Sequence, residues 1–241
     1  MKNIWMIALV CLNILSTFGQ QKIDLLGSLD RTQPIKLSEI AKSVRTIQLE
    51  TTDNCLLIPE KMYVYYGQEF IFVFDGTEPG NFYRFDLNGK FINKIGNAGP
   101  GPKEYIDAHS FKVDEIKKEV WLPDWRSNSI KIYTYEGEFI RKIPCEGLIH
   151  DNFLIKDDRV FYANSNFYWG AHTTELSYAD AQTGKLYSKL KSTIPDDLRI
   201  NILLDPQLLY TYRDEVFYKN PLKDVVCSVD ASGKNIKLTP K

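Results

Sequence analysis

Asp86-Leu87-Asn88-Gly89-Lys90-Phe91 reads as the turn of a short hairpin, and the chain repeats it three times. The echoes are Thr134-Tyr135-Glu136-Gly137-Glu138-Phe139, Ala181-Gln182-Thr183-Gly184-Lys185-Leu186 and Ala231-Ser232-Gly233-Lys234. Successive glycines are separated by 48, 47 and 49 residues. A steady interval of this size belongs to repeat architectures built from four-stranded propeller blades, each of which buries its faces only against its neighbours. The glycine has a mechanical reason. A two-residue connection between antiparallel strands needs positive φ to match the sheet's twist, so Asn88-Gly89 reads as a tight two-residue turn. Glu136-Gly137, Thr183-Gly184 and Ser232-Gly233 are weaker matches that also fit three-residue turns with a bulge.

Outward from each glycine the same anatomy recurs. Short runs of alternating apolar and polar residues flank it, as half-buried strands require. In the first copy these are 62–65, 69–74, 82–85 and 91–95; in the second, 110–113, 120–122, 130–133 and 139–143. The third copy offers 153–155, 160–162, 175–178 and 186–190, and the fourth 208–212, 215–218, 225–229 and 236–238. The expected fold is therefore all-β, a β-propeller of four-stranded antiparallel blades near 61–105, 106–150, 151–206 and 207–241. Helix is confined to short turns near 36–43 and 194–204. Within the preceding segment, 20–60, Val44 to Leu49 reads as an extra strand, of the kind that completes the last blade and closes a ring.

Between the first two copies lies Ile95-Gly96-Asn97-Ala98-Gly99-Pro100-Gly101-Pro102-Lys103-Glu104-Tyr105, and the second contains Asp124-Trp125-Arg126-Ser127-Asn128-Ser129-Ile130. This pairing resembles the NHL-type repeat, in which a Gly-Pro-Gly loop ending in an aromatic leads into the next blade. The chain is most similar to bacterial secreted six-bladed β-propeller proteins of that wider group. The resemblance implies six blades where four copies are recognisable, so an incomplete, truncated six-bladed propeller is expected. An open arc exposes blade faces that normally pack, which favours self-association.

The first residues, Met1-Lys2-Asn3, precede an apolar block from Ile4 to Phe18, and Thr17 and Gly19 supply small residues before a cleavage point. Residues 1–19 therefore read as a signal peptide, too short to cross a hydrocarbon core of about 30 Å, so the product is exported to the periplasm or beyond with no stable membrane span. Cys11 follows Val10 rather than a small residue, which argues against lipid anchoring. The formal charge of -1, from 30 basic and 31 acidic residues among 241, provides no field to recruit nucleic acid. Cys55, Cys145 and Cys227 form no Cys-x-x-Cys pair and read as buried small hydrophobes, with at most one disulfide among them.

Two loops stand out as ligand contacts. Trp125 and Arg126 together suit a sugar or a carboxylate, by stacking and pairing. The segment from Asn164 to His172 is rich in amides and aromatics, and Asn166, Tyr168, Trp169 and His172 are its leading contact residues. The Gly99–Pro102 loop reads as a blade-linking turn, and Asp157-Asp158 and Asp196-Asp197 as solvated turn residues. His109, His150 and His172 lack the spacing of a metal site, so no metal or cofactor is implied. No nucleophile elbow, phosphate loop or His-Glu-x-x-His motif occurs. These features point to an extracytoplasmic binding or scaffold protein that presents loops to a glycan, a peptide or an envelope protein. The alternative is a metal-dependent propeller hydrolase or lyase of the lactonase kind, acting near the central channel.

Overall fold

The structure, a computed structural model, describes residues 34–58, 61–124, 126–145, 152–163, 174–191, 208–220, 225–232 and 235–241. The chain divides into two units, Met1–Thr46 and Ile47–Lys241. The described part of the first holds one helical turn, α1 (Leu37–Ile40), with no buried residue.

The second unit is all-β. The first sheet comprises β1 (Tyr63–Tyr66), β2 (Phe70–Phe74), β3 (Phe82–Asp86) and β4 (Phe91–Lys94), and the second β5 (Lys112–Asp114), β6 (Glu119–Asp124), β7 (Ser129–Thr134) and β8 (Phe139–Pro144). The third holds β9 (Phe153–Lys156), β10 (Arg159–Ala163), β11 (Thr174–Asp180) and β12 (Leu186–Lys191), and the fourth β13 (Leu209–Tyr212), β14 (Glu215–Lys219), β15 (Val226–Asp230) and β16 (Lys237–Pro240). Each sheet is antiparallel and keeps chain order, giving the four blades of a β-propeller. Each of the sixteen expected blade strands is found within a residue or two of its expected ends.

Strand alternation sends successive side chains to opposite neighbours. Phe72, Phe74 and Phe82 of the first blade meet Val120, Leu122 and Tyr133 of the second. Trp121, Ile130 and Ile132, on the second blade's other face, meet Phe153, Val160 and Ala179 of the third. Phe161, Leu176 and Tyr178 then meet Leu209, Val216 and Tyr218 of the fourth. The two middle strands of the second blade, β6 and β7, are thus buried on both faces, with Glu119, Asp124, Ser129 and Lys131 enclosed among their apolar residues.

Ile71, Val73, Tyr83 and Phe85, the first blade's remaining face, are covered by Cys55 together with Ile47, Leu49 and Leu57. The Gln48 carbonyl lies against Gly89 as the Lys94 carbonyl lies against Gly137. The Glu50 N–H donates to the Gly89 carbonyl at 2.8 Å, and the Gly96 N–H to the Gly137 carbonyl at 3.3 Å. Residues 47–50 therefore stand against the first blade as the end of β4 stands against the second. The expected strand from Val44 to Leu49 is corrected here: it joins none of the four sheets, because no strand is ladder-paired to it among the described residues.

The hairpin at Asn88-Gly89 is also corrected. Asp86 N–H bonds to the Lys90 carbonyl and Gly89 N–H to the Asp86 carbonyl, a three-residue connection with Gly89 at φ 88° in the bulge position. Thr134, Gly137 and Glu138 repeat this pattern. The residue before the turn decides it. Asp86 Oδ1 accepts the Asn88 and Lys90 N–H groups, and Thr134 Oγ1 those of Glu136 and Glu138, which stabilises the longer turn over the two-residue alternative.

Candidate functional site

Arg126, in the β6–β7 loop, is the one expected contact residue among those described; Trp125, Asn166, Tyr168, Trp169 and His172 lie outside the described residues. The loop is anchored from below. Asp124, fully buried, accepts the Ile106 and Asp107 N–H groups at 3.1 and 3.2 Å and pairs with buried Lys131 at 3.4 Å. Lys131 Nζ also donates to the Glu104 carbonyl. Above this pair, Arg126 is exposed, with Nε 3.4 Å from Asp107 Oδ2, and His109 Nε2 lies 2.6 Å from Asp107 Oδ1. The structure thus brings Arg126, Asp107 and His109 together.

The neighbouring glycine–proline loop holds no anion cradle. Gly99 N–H bonds to the Tyr105 carbonyl, Gly101 N–H to Glu104 Oε2, Glu104 N–H to the Gly101 carbonyl and Tyr105 N–H to the Asn97 carbonyl. Its donors are spent on its own turn, and Tyr105 is fully buried between the first two blades. His150 and His172 lie outside the described residues. No group of three or more His, Cys, Asp or Glu side chains among the described residues is placed to hold a metal.

A second constellation lies where the first turn of every blade meets around a depression of about 770 Å³. Gln68 comes from the β1–β2 turn, Glu115 and Lys117 from β5–β6, Asp157 and Asp158 from β9–β10, and Arg213 and Asp214 from β13–β14. Polar contacts stitch adjacent blades at this rim. Glu115 accepts the Tyr65 hydroxyl at 2.7 Å and the Gln68 N–H at 3.2 Å. Lys117 Nζ donates to Asp158 Oδ1 at 2.9 Å, and Lys156 Nζ to Asp214 Oδ1 at 2.5 Å. Burial and then the Glu115 hydrogen bond push the Tyr65 phenol up to about 12, so it stays a donor. The Asp214 hydrogen bond holds the Lys156 ammonium above its ordinary range.

The rim turns differ from the outer hairpins in one respect. The outer ones reach positive φ with Gly89, Gly137 and Gly184, whereas Asp157 (54°), Arg213 (47°) and Asp214 (65°) do so with charged side chains. Left-handed backbone costs roughly 1–2 kcal/mol at most non-glycine residues and less at aspartate, so the strain falls on Arg213 and on Lys118 (54°) of the β5–β6 turn. Side chains are therefore present where glycine would be easier. Sequence reading placed Asp157-Asp158 among solvated turns and gave Arg213 and Asp214 no role. The available signal was that every first turn carries charge while every outer turn carries glycine.

In the second unit's fold, the chain is similar to a solved structure from Bacteroides fragilis NCTC 9343 described as a candidate exported protein. The TM-score is 0.64 at 20% identity, over 81% of this chain and 53% of that one. A member of the DUF4221 family from Bacteroides vulgatus matches with a TM-score of 0.49 at 14% identity, over 74% of this chain and 57% of that one. The chain thus spans little more than half the length of either. No curated protein matches it in sequence. No described helix is long and apolar enough to cross a membrane. A family model, "Domain of unknown function (DUF4934)", matches residues 20–240.

Proposed function

The chain belongs to the DUF4934 family, and on that premise we propose that it is an exported binding protein that holds a polar ligand, whether a glycan, a peptide or a segment of an envelope protein, in the rim depression. The reading includes no covalent chemistry on that ligand. The observation that carries it is the convergence of the first turns of all four blades on one polar depression, with Arg213 held there in left-handed backbone. A propeller suits the task because a rigid scaffold positions turns from several blades around one hollow. Export is supported by the apolar block from Ile4 to Phe18 and by the description of the Bacteroides fragilis relative as a candidate exported protein. The exposed Arg126, beside Asp107 and His109, supports a secondary contact, and Trp125, Asn166, Tyr168, Trp169 and His172 are further candidates by residue type alone.

Two measurements test this. Expression in a diderm bacterium, followed by fractionation and N-terminal sequencing, is expected to find a periplasmic or released product starting at Gln20. Purified protein screened against glycan and peptide arrays is expected to bind one of them. A folded protein that binds neither refutes the binding reading.

A further inference from the structure

We propose that the ligand is a basic peptide segment bearing aliphatic side chains, seated across two adjoining hollows, an inference that rests on the binding reading above. Lys156, Asp157 and Asp214 line both the 770 Å³ depression and a neighbouring hollow of about 450 Å³. The second hollow has an apolar floor where the third and fourth blades meet. Phe161, Val216 and Ala231 are buried there and Val229 is half-buried, whereas Asp157 and Asp214, on the wall shared with the first hollow, are 80% and 93% exposed. In the first hollow Ile116, at the β5–β6 turn, stands 95% exposed, and Val113 and Ile155 line the same depression. Apolar side chains at the floor of one hollow and the lip of the next offer packing for the alternate side chains of an extended peptide.

Charge then chooses among peptides. Seven carboxylates and four cations line the two hollows together. The cations are committed to neighbours. Lys117 pairs with Asp158 at 2.9 Å and Lys156 with Asp214 at 2.5 Å, while the Arg159 guanidinium lies 5.6 Å from the Tyr178 ring centroid and that of Arg213 5.2 Å from that of Tyr212. Lys241, from outside the lining, lies 3.6 Å from Glu215 and offsets one carboxylate more. A surplus of carboxylates remains, and Asp230 keeps its charge because Ser232 hydrogen bonds hold its carboxyl below the usual range. Such a rim repels an acidic ligand and attracts a basic one. Exposed ion pairs are weak and an ionised carboxylate has about four acceptor sites, so an incoming ammonium can share Asp158 or Asp214 with its lysine. A neutral glycan gains nothing from the surplus, and the Tyr212 ring that would pack its C–H surface already carries Arg213.

The test uses the purified protein with a set of short labelled peptides of one length that combine lysine or glutamate with leucine or serine, read by fluorescence anisotropy, and the glycan and peptide arrays beside them. The lysine–leucine peptide is expected to bind, the lysine–serine peptide about tenfold more weakly and both glutamate peptides about a hundredfold more weakly. Raising the salt from about 0.05 M to about 0.5 M should weaken the lysine–leucine peptide about tenfold. Asp157→Asn, which tolerates the left-handed turn, and Ile116→Ser, at an exposed position, should each weaken it about fivefold with the melting temperature unchanged. Val229→Thr, which adds a hydroxyl to the floor, should act in the same direction, and Ile116→Ser decides the matter if that variant fails to fold. A glutamate–leucine peptide that binds as well as its lysine counterpart, an affinity indifferent to salt, or binding unchanged in Asp157→Asn and Ile116→Ser would overturn the assignment. Binding on the glycan array alone would overturn it and leave the binding reading standing. Binding to neither array and to none of the peptides removes that reading as well.

Discussion

Gly137→Ala tests the junction between the first two blades at a single atom. Gly137 has φ 89°, and an added methyl would overlap the Lys94 carbonyl oxygen while lying 3.3 Å from the Gly96 nitrogen and 3.4 Å from the Ile95 Cα. Two costs add. The left-handed backbone costs roughly 1–2 kcal/mol once a Cβ is present. Overpacking against main chain, which cannot rotate away as a side chain can, costs roughly 1–3 kcal/mol more. The total of roughly 2–5 kcal/mol is a large fraction of the roughly 5–15 kcal/mol that holds a typical domain folded. At roughly 2–4 °C per kcal/mol for a chain of this size, the expected drop in melting temperature is about 4–20 °C. Thermal unfolding followed by circular dichroism measures it, with urea midpoints as a second readout. Glu138→Ala, at the adjacent exposed position, is the control and should stay within about 0.5 kcal/mol of the parent. If Gly137→Ala melted within about 2 °C of the parent, blade contact through this glycine would not be what fixes the repeat.

Three further outcomes are expected. Lys131→Met strands the buried Asp124 carboxylate and should lower stability by roughly 3–5 kcal/mol in urea titration, with partial recovery on adding Asp124→Asn; a variant as stable as the parent refutes a structural role for the pair. The Thr183 backbone N–H, then the Thr183 and Tyr187 hydroxyls, hold the Asp180 carboxyl down to about 2 from 3.8. Because the folded value is the lower one, its stabilising contribution is complete above about pH 4 and disappears as pH falls towards 2. Asp180→Asn should flatten the acid limb of the stability profile in that window, and parallel profiles for variant and parent would contradict the assignment. Burial pushes the Cys55 thiol to about 11 and Cys145 to about 12, so neither should react with dithionitrobenzoate at pH 8 until the protein is unfolded; rapid labelling of the native protein would show that these thiols are not enclosed.

The blade pattern was legible because glycine at each outer hairpin answers a local geometric demand, and local demands leave marks in sequence. The turn type was not, since Asn88-Gly89 satisfies the two-residue form by itself and only the Asp86 carboxylate, bonded to two N–H groups beyond it, tips the choice. The strand expected from Val44 to Leu49 failed for a related reason. Apolar alternation reports which face is covered, and Ile47 and Leu49 are indeed packed on the first blade, but it carries no information about a hydrogen-bonded neighbour. The rim depression was hidden for a third reason. Its residues lie far apart along the chain, and Lys156 with Asp214 is informative only once the third and fourth blades stand side by side. Arg126 was visible as a reactive pairing with Trp125, while its actual neighbours, Asp107 and His109, drew no attention from spacing.

The contact of Gly89 with the Gln48 carbonyl, and of Gly137 with the Lys94 carbonyl, makes each of these joints one of main-chain atoms, whereas Gly184 meets the Ile143 and Pro144 side chains. Where the joint is main chain, the side chains around it can change without loss of the contact. For a lineage that grows by duplicating modules, such a joint is a reusable coupling, and the surface around it is left free to change.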